Sequence, residues 1–413
     1  MMRAVRPSLV LLLCLALGVP ASWAAPRAHP VRPPADAAAE SGPTAPPATL
    51  LMEVSTGQVL ASSDAHRHLP PASLDKLMTL YLVLQAIRGH QITLDTSVTV
   101  SATTWRIGRT AGSSRMFLNV GDVVPVRDLL SGLMVASGND AAEALAEAVG
   151  GSGEQFVTLM NAQAARLGMH DTHYVTPHGL PAPDEYTSAW DIALLARRVL
   201  LDFPDVVQIT GARYEAYGGI RQANWNNLVF RDPRVDGLKT GHTSEAGFSI
   251  AATAQQGGMR LLAVVMGAPT LRRRTDLAEG LFAQGFGRYA LVPVPWQRVV
   301  PASLRVYGGT TGEVSLETSG PVAVLVGRDT RPSLVIAEAI TARPFAPVAR
   351  AQQVGVLTVS VDGRALAATP LLAAQPVARA GLFGRLWGYI RYEVGVLFHR
   401  HRARAQGAYE PPQ

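Results

Sequence analysis

The sequence predicts an α+β fold: an antiparallel sheet with a helical lobe, then a small all-β domain and a C-terminal amphipathic helix. Strand-like hairpins bracket helical patterns at both ends of residues 48–290, which is typical of an antiparallel sheet with helices packed on it. Short alternating runs separated by Gly and Pro turns follow in residues 291–376, and an apolar helical stripe lies in residues 377–413. With 48% hydrophobic residues among 413, the chain can fill two ordinary cores.

The first domain, residues 48–290, is predicted from two kinds of periodicity. Strand-like runs next to turns occur at residues 49–54, 58–61, 248–254 and 261–266. Apolar positions at helical spacing predict a helix of about 15 residues from Ser73, a second helix over residues 129–134 and a third over residues 141–148. We expect both hairpins to belong to one sheet, with the helices packed on it.

The residue pattern of the sequence changes near residues 291–295, where two prolines alternate with apolar residues. Beyond them, short alternating apolar runs such as residues 322–326, 334–336 and 354–359 are separated by Gly and Pro turns. This pattern predicts a small all-β domain that ends at about Pro376.

The tail, residues 377–413, is predicted to lie on an anionic membrane surface. One helical stripe is apolar and aromatic, and arginines lie on or near its flanks. The stripe consists of Leu382, Phe383, Leu386, Trp387, Ile390, Val394, Leu397 and Phe398. Arg391 and Glu393 prevent a clean transmembrane span, so the pattern favours a helix in the headgroup layer, with contact through residues 379–404. The alternative is a C-terminal helix docked on the β domain.

Residues 1–24 are typical of a signal peptide. Arg3 and Arg6 precede an apolar run, and small residues precede the expected cleavage site after Ala24. Residues 25–47 are rich in Pro and Ala and predict a flexible spacer. Cys14, the only cysteine, lies in the leader, which leaves the exported protein without thiols. We therefore expect export without disulfides and no cysteine nucleophile.

Charge patterning argues against a nucleic-acid-binding protein. The formal net charge is +6, of which the two leader arginines contribute +2 and the segment from Arg379 onward, with six arginines against Glu393 and Glu410, contributes +4. Residues 25–378 sum to about zero, whereas a nucleic-acid footprint requires a basic patch on the folded body. We therefore expect no nucleic-acid partner.

Lysine is nearly absent from this basic chain. Of 37 basic residues 35 are Arg, and only Lys76 and Lys239 are Lys. Arginine stays charged at ordinary pH, whereas a buried lysine can lose its proton and act as a base or a compact point charge. The two lysines are therefore candidate functional residues, with survival by chance as the alternative.

The neighbours of both lysines favour a catalytic role. Ser73 precedes Lys76 by three residues, so on a helix the two side chains share a face. A serine hydroxyl becomes a nucleophile when such a neighbour takes its proton. Thr240 and Gly241 follow Lys239 on a strand-like segment, which gives an ammonium and a hydroxyl on an edge that a substrate backbone could join.

A third motif, Ser137-Gly138-Asn139, lies between these two and closes a helix. The three motifs, in this order, resemble those of the penicillin-recognising serine enzymes. The most similar members are the D-alanyl-D-alanine carboxypeptidases, which are low-molecular-mass penicillin-binding proteins. The resemblance extends through residues 167–172, 177–180 and 239–247, and covers about residues 48–290. It implies a transpeptidase-like or β-lactamase-like catalytic domain.

The resemblance implies a serine-type D-Ala-D-Ala carboxypeptidase of peptidoglycan biosynthesis that acts at the periplasmic face of the membrane. Ser73 would attack the carbonyl between the two D-alanines of a stem pentapeptide, and Lys76 would be the base. Ser137 would pass a proton to the departing D-alanine, and water would release the acyl group. Penicillin and other β-lactams would acylate Ser73. No cofactor or metal is implied.

The same resemblance implies which residues bind the substrate. The predicted set is Asn139, Lys239, Thr240, Gly241, His242 and Arg274. Asn139 would orient the lysine and the substrate amide. Lys239 and Thr240 would meet the terminal carboxylate, to which Arg274 would add; an exposed structural arginine is the alternative at that position. The backbone N–H groups of Ser73 and His242 would form an oxyanion hole.

Two positions decide how far the resemblance reaches. Asp75, where relatives commonly have Thr, would hold Lys76 charged if it pointed inward. Because it lies two residues beyond Ser73 on a helix, we expect it to face away. Gly138 is the carboxypeptidase form of the middle motif, whereas class A β-lactamases carry Asp there. We therefore do not expect efficient penicillin hydrolysis.

Three other function classes are disfavoured. A metal hydrolase built from His170, His173 and His178 would lack the His-Glu-x-x-His motif. A Ser-His-Asp hydrolase would need a Gly-x-Ser-x-Gly elbow, which Ser73 lacks. A wall-binding protein without turnover would be expected to have lost a motif residue. The sequence leaves open the oligomeric state and the balance of carboxypeptidase and endopeptidase action.

Overall fold

The computed structural model describes residues 43–298, 303–318, 320, 322–329, 334–340, 344–361, 364–398 and 406–409. The predicted signal peptide, residues 1–24, lies outside the described residues, as does most of the predicted spacer, residues 25–47.

A five-stranded antiparallel sheet forms the centre of the first domain. The strands of this part are β1 (Ala48–Glu53), β2 (Val59–Ser63), β3 (Ser97–Thr99), β4 (Val123–Pro125), β5 (Tyr214–Tyr217), β6 (Ile220–Ala223), β7 (Val235–Thr243), β8 (Gly247–Gln256) and β9 (Met259–Ala268). The sheet has the order β2-β1-β9-β8-β7, while β3–β4 and β5–β6 are separate two-stranded sheets. Both hairpins expected from the sequence lie in this sheet, and β7 is its edge strand.

Nine helices accompany the sheet within residues 43–298. They are α1 (Lys76–Arg88), α2 (Ala102–Gly108), α3 (Val126–Met134), α4 (Asn139–Gly150), α5 (Gly153–Leu167), α6 (Ala189–Asp202), α7 (Val207–Thr210), α8 (Leu228–Arg231) and α9 (Leu271–Arg288). The first, third and fourth are those that the sequence predicts. A short 3-10 turn, Ala72–Asp75, leads directly into α1.

The sheet is buried on both faces. Successive side chains of a strand point to opposite sides, so Leu50 and Met52 of β1 pack in the core of the helical lobe. Leu51 packs on the other face, against Phe282 and Phe286 of α9. Helix α1 lies in the middle of the lobe and is apolar and buried around most of its circumference, as expected of a central core helix. The turn that carries Ser73 is therefore joined directly to a central, buried helix.

The second domain is all-β. Its strands are β10 (Tyr289–Pro293), β11 (Ser303–Arg305), β12 (Glu313–Thr318), β13 (Ala323–Gly327), β14 (Leu334–Ile340), β15 (Gln353–Val361), β16 (Arg364–Ala373) and β17 (Gln406–Tyr409). Six of them form a sheet of order β11-β12-β16-β15-β14-β17, and β10 pairs with β13. Separate apolar clusters fill this domain, one around Trp296 and Leu357 and a smaller one around Val314 and Val377.

The C-terminal helix, α10 (Leu382–Phe398), has one docked side and one exposed side. A Cβ on Gly388 would clash with the backbone of Gly308, and Tyr392 packs edge-on against Tyr307 with 5.3 Å between ring centroids. Large apolar side chains remain exposed: Leu382, Phe383, Leu386, Trp387, Tyr389 and Ile390. In the described part of the chain, no helix combines the length and the apolarity needed to cross a membrane.

Candidate active site

Ser73 and Lys76 meet where the 3-10 turn becomes helix α1. Lys76 Nζ lies 2.8 Å from Ser73 Oγ, 2.6 Å from Asn139 Oδ1 and 2.5 Å from the backbone oxygen of His178. Three partners hold the amine at one point, and one of them is the hydroxyl that the sequence predicts as nucleophile. The predicted Ser73–Lys76 contact is present.

Two glycines allow the nucleophile turn to pack against neighbouring backbone. Ala72 adopts a φ of +48°, in a region that residues with a side chain rarely adopt. A Cβ on Gly179, itself at a φ of +75°, would clash with the Ala72 oxygen. A Cβ on Gly241 would lie 3.2 Å from the Ser73 nitrogen. Because these contacts leave no room for a side chain, the strained turn is fixed from both sides.

Burial changes the protonation of Lys76. The side chain is completely inaccessible, and desolvation lowers its pKa to about 7, against the opposing attraction of Asp75, Asp140 and Glu185. A substantial neutral fraction therefore exists near neutral pH, which an arginine at this position could not provide.

The middle motif lies at the start of α4, with Ser137 at a φ of +59°. Asn139 joins two elements, because its Oδ1 accepts from Lys76 and its Nδ2 donates to Ser113 Oγ at 2.7 Å. A Cβ on Gly138 would lie 2.8 Å from the carboxylate of Asp140. That carboxylate accepts the backbone N–H of Met116 at 2.8 Å and so ties the Ser113 loop to the motif. Glycine at 138 is therefore a packing requirement as well as a feature of the motif.

Lys239 lies on the edge strand β7 and joins the same site. Its Nζ donates to Ser137 Oγ at 2.9 Å and to its neighbour's oxygen, Thr240 O, at 2.8 Å. The side chain is 1% exposed. Burial lowers the pKa of Lys239 well below its usual range, and the positive charges of Lys76 and Arg274 lower it further. Both lysines of the chain therefore belong to one buried site and are linked through the middle motif, since Ser137 accepts from Lys239 and Asn139 accepts from Lys76.

Arg274 is buried in α9, 3% exposed, so the alternative of an exposed structural arginine is wrong. Its Nη2 donates to Asn227 Oδ1 at 3.2 Å, and its Nε has no hydrogen-bond partner within the described residues. Burial lowers its pKa to about 10. The guanidinium adds positive potential near Lys239.

His242 follows Gly241 at the end of the edge strand. Its ring is exposed and stacks on Phe248, with 3.9 Å between ring centroids. The close approach of Gly241 to the Ser73 nitrogen brings this part of the strand backbone beside the nucleophile. Since β7 ends the sheet order, its outer edge can accept an extended substrate.

The carboxyl of Asp75 takes no part in the Ser73–Lys76 contact, since none of the hydrogen bonds of Lys76 Nζ goes to it. It is nevertheless completely buried beside Lys76, so its charge state affects the lysine. A helical position alone does not predict this burial, because the covering residue, Glu185, is 110 positions away in the chain.

Some contributors to the site carry no sequence signal. The backbone oxygen of His178 holds Lys76, and a main-chain carbonyl is independent of residue type. Ser113 is one of two adjacent serines in a loop, and only the fold brings its hydroxyl to Asn139. The family resemblance includes residues 177–180 but gives them no role, and the only local signal around residues 112–114 is a glycine.

His178 itself is buried beside Lys76, and desolvation lowers the pKa of its imidazole to about 3, helped by the lysine charge. Its Nδ1 accepts the backbone N–H of Leu180 at 3.2 Å. His173 Nδ1 contacts the Asp184 oxygen at 2.8 Å instead. Among the residues with described positions, no group of three or more potential metal ligands comes together.

Two family models match the chain. The model described as D-alanyl-D-alanine carboxypeptidase matches residues 36–270, and the model of the penicillin-binding protein 5 C-terminal domain matches residues 297–379. The two matches correspond to the helix-and-sheet part and to the all-β part.

Individual relatives extend over both parts. D-alanyl-D-alanine carboxypeptidase DacC of Escherichia coli (strain K12) is 38% identical over 347 residues, which cover 83% of this chain and 87% of that protein. D-alanyl-D-alanine carboxypeptidase DacF of Bacillus subtilis (strain 168) is 33% identical over 345 residues, covering 80% of this chain and 86% of that protein.

Solved structures agree with the described fold. Penicillin binding protein 5 from Haemophilus influenzae aligns with a TM-score of 0.69 at 32% identity, covering 80% of this chain and 97% of that chain. The ampicillin-bound form of Penicillin-Binding Protein D2 from Listeria monocytogenes aligns with a TM-score of 0.53 at 29% identity, covering 61% and 100%. The fold class and resemblance predicted from the sequence are confirmed, and the chain belongs to the D-alanyl-D-alanine carboxypeptidase family of serine peptidases.

Proposed function

We propose that this protein is a serine-type D-Ala-D-Ala carboxypeptidase that removes the terminal D-alanine from peptidoglycan stem pentapeptides through an acyl-enzyme on Ser73. The observation that carries the proposal is the 2.8 Å contact between Ser73 Oγ and the buried Lys76 Nζ, whose pKa is about 7. An amine that is partly neutral at physiological pH can take the serine proton. Family membership supplies the substrate class.

Acylation follows from the way Lys76 is held. In the neutral amine, two N–H bonds point to Asn139 Oδ1 and to the His178 oxygen. The nitrogen lone pair then faces Ser73 Oγ and accepts its proton as the oxygen attacks the carbonyl of the penultimate D-alanine. The backbone N–H groups of Ser73 and His242 stabilise the tetrahedral oxyanion, an effect that is usually among the largest in acyl transfer.

The second ammonium receives the anionic end of the substrate. Lys239, Thr240 and Arg274 surround the terminal carboxylate with positive charge and a hydroxyl, and Gly241 leaves space for the substrate backbone. Lys239 donates to Ser137 Oγ, so the Ser137 hydroxyl hydrogen is free to be given to the departing amine. The proton that Lys76 took from Ser73 then passes to Ser137 Oγ, which restores the hydroxyl and the neutral lysine. Water then hydrolyses the acyl-enzyme and releases a tetrapeptide stem.

The same steps open a β-lactam ring. Penicillin presents a strained amide and a carboxylate to Ser73 and Lys239, and the acyl-enzyme persists because the departing amine stays tethered. An ampicillin-bound form of the Listeria monocytogenes relative supports this assignment.

A fluorescent penicillin is expected to label the protein covalently at Ser73. The reason is the activated hydroxyl beside Lys76. Tryptic mapping by mass spectrometry identifies the labelled peptide, and Ser55→Ala, a change of a turn serine on the first hairpin, is the matched control that keeps its label. A stable label on any other residue, or labelling that survives Ser73→Ala, would refute the assignment.

We further propose that residues 1–24 direct export and that residues 377–413 hold the enzyme at the periplasmic face of the membrane through residues 379–404. The exposed apolar side chains of α10 support this, because an apolar surface of this kind is stabilised by burial in an interface. Arg400, Arg402 and Arg404 of the predicted tail lie outside the described residues. The catalytic domain is proposed to span residues 48–290 and the β domain residues 291–376.

Truncation after Pro376 is expected to release the enzyme from membranes while its penicillin labelling is retained. Sedimentation with vesicles of anionic phosphatidylglycerol, compared with neutral phosphatidylcholine, measures the binding. The double variant Phe383→Ser/Trp387→Ser keeps the full chain, and it should lower the sedimenting fraction because it removes two of the most exposed rings. Leu159→Ser changes an exposed apolar residue on α5 and should have no effect. Equal sedimentation of the truncated and full-length proteins would contradict the anchor.

A further inference from the structure

Asp75 is an unusual residue to find beside a catalytic lysine. It is completely buried, and neither of its carboxyl oxygens receives a hydrogen bond from an N–H or O–H donor among the described residues. An ionised carboxylate without donors is strongly disfavoured in such an environment. The protonated acid, in contrast, can act as a donor itself and needs only one acceptor.

That acceptor is Glu185, from the loop that also supplies His178. Glu185 is 9% exposed, and its Oε1 accepts the backbone N–H of Val175 at 3.1 Å, the backbone N–H of Thr176 at 2.8 Å and the Thr176 hydroxyl at 3.0 Å. Three donors on one oxygen favour the ionised form of a carboxyl. The side chains of Asp75 and Glu185 face each other closely enough to interact, and because both are acceptors when ionised, only a proton between them can join them.

We propose that Asp75 and Glu185 share one proton, held on Asp75, and that this pair is a positioning element that keeps Lys76 available as a base. The pair carries one negative charge, and the charge resides on Glu185, where the three donors stabilise it. Lys76 therefore has a neutral acid as its neighbour in the chain. The proposal rests on the base role of Lys76 given under the proposed function.

The electrostatic surroundings agree with a proton on Asp75 and a negative charge on Glu185. Burial raises the pKa of Asp75 well above its usual range, and the proximity of Glu185 raises it further. If Asp75 were ionised instead, its charge would stabilise the ammonium of Lys76 and remove the neutral amine that acylation needs. The pair thus resolves the conflict that an aspartate in the Ser73–Lys76 motif creates.

Other titratable groups face Lys76 or the pair from each packed element. They are Asp140 from α4, Lys239 from β7, and Tyr174 and His178 from the loop before α6, with Asp191 of α6 beyond Tyr174. The Tyr174 hydroxyl is buried without a hydrogen-bond partner in the described part of the chain. None of these groups changes in the variants below, so the variants isolate the pair.

Two single variants distinguish proton sharing from the other charge states. In Glu185→Gln the amide oxygen keeps the three donors and the amide nitrogen donates to Asp75, which then ionises next to Lys76. In Asp75→Asn the amide donates to Glu185, and the charge stays where it is in the unmodified enzyme. In the double variant the pair is neutral.

The measurement is the rate of Ser73 acylation by a fluorescent penicillin between about pH 5 and about pH 10, a range that includes both the charged and the neutral form of Lys76. In Glu185→Gln the acidic limb of the pH–rate profile should shift toward higher pH by about one to two units. Acylation at pH 7 should then be about ten- to a hundredfold slower. In Asp75→Asn the acidic limb should stay at nearly the same pH as in the unmodified enzyme. In the double variant it should move to lower pH. The position of a limb does not depend on how much of a sample is folded, so partial misfolding leaves the comparison valid.

Glu53→Gln is the matched control. Glu53 is also a buried carboxylate that accepts hydrogen bonds from a following turn, through Ser55 and Thr56, and its replacement should leave the limb unchanged. A downward shift in both single variants would mean two ionised carboxylates, and no shift in any variant would mean a neutral pair; either result overturns the proposal. Absence of Ser73 labelling in the unmodified enzyme would instead refute the proposed function.

Discussion

Lys76→Arg is expected to slow the acylation of Ser73 by about 10²–10⁴-fold at neutral pH, the range typical of a lost general base. Lys76 has a pKa of about 7 because it is desolvated, whereas an arginine in the same place stays protonated and has no lone pair to offer. The unmodified enzyme should lose activity below pH 7, where the amine is protonated, and reach a plateau above it. The arginine variant should show no such limb.

Stopped-flow acylation by a fluorescent penicillin, with D-alanine release as the second assay, measures both the rate and its pH profile. Arg88→Lys exchanges the same residue types at the exposed end of the same helix and should act as the unmodified enzyme does. Thermal unfolding separates loss of the base from loss of the fold. A rate within threefold of normal (roughly 0.7 kcal/mol of activation free energy) in a folded Lys76→Arg protein would exclude Lys76 as the base.

Elements with local signals could be predicted from the sequence. The two hairpins of the central sheet have turn residues between strand-like runs, and α1, α3 and α4 have apolar positions at helical spacing. The site could be predicted because only two lysines are present and each has a diagnostic neighbour. The two lysines meet at the middle motif, where Lys239 contacts Ser137 and Lys76 contacts Asn139. This meeting requires β7 to lie beside the helical lobe, and the sequence indicates that only through the family resemblance.

Other features depend on long-range packing that no local pattern contains. Helix α9 has arginines in its first turn and an unremarkable periodicity, yet it covers a whole face of the sheet through Phe282 and Phe286. Arg274 is buried for the same reason, since it lies on the covered side of that helix. The burial of Asp75 requires Glu185 from a distant loop. A carboxylate in a sequence is most often exposed, so only the tertiary fold reveals such a pair.

The site also shows why backbone shape and chemistry cannot be separated in this fold. The Ser73 turn is strained at Ala72, and Ser137 is strained in the same way, each at a positive φ. Strain of this kind persists only where the surrounding structure over-determines it. Here Gly179 and Gly241 pack closely against the Ser73 turn. The carboxylate of Asp140 lies against Gly138, next to Ser137. The positions of both hydroxyls are therefore set by packing before a substrate arrives.

Lys239→Arg and Lys239→Gln are expected to lower kcat/KM for D-alanine release by about 10–150-fold, because each removes hydrogen bonds of a charged group that contribute about 1.5–3 kcal/mol. Lys239 is buried and fits between Ser137 Oγ and the Thr240 oxygen. The larger guanidinium cannot occupy this space without displacing Ser137, and glutamine removes the charge altogether. Unlike Lys76→Arg, both Lys239 variants should keep the acidic limb of the pH–rate profile, because that limb reports the protonation of Lys76.

A substrate pair tests the assigned partner of Lys239 directly. The unmodified enzyme should prefer a peptide with a free terminal carboxylate over the same peptide ending in an amide, and Lys239→Gln should lose most of this preference. Arg273→Lys, an exposed exchange next to Arg274 on α9, should keep it. If Lys239→Gln discriminates between the two peptides as well as the unmodified enzyme does, the carboxylate is bound elsewhere. Arg274, the remaining buried cation near the site, would then be the group to which the substrate's charge must be reassigned.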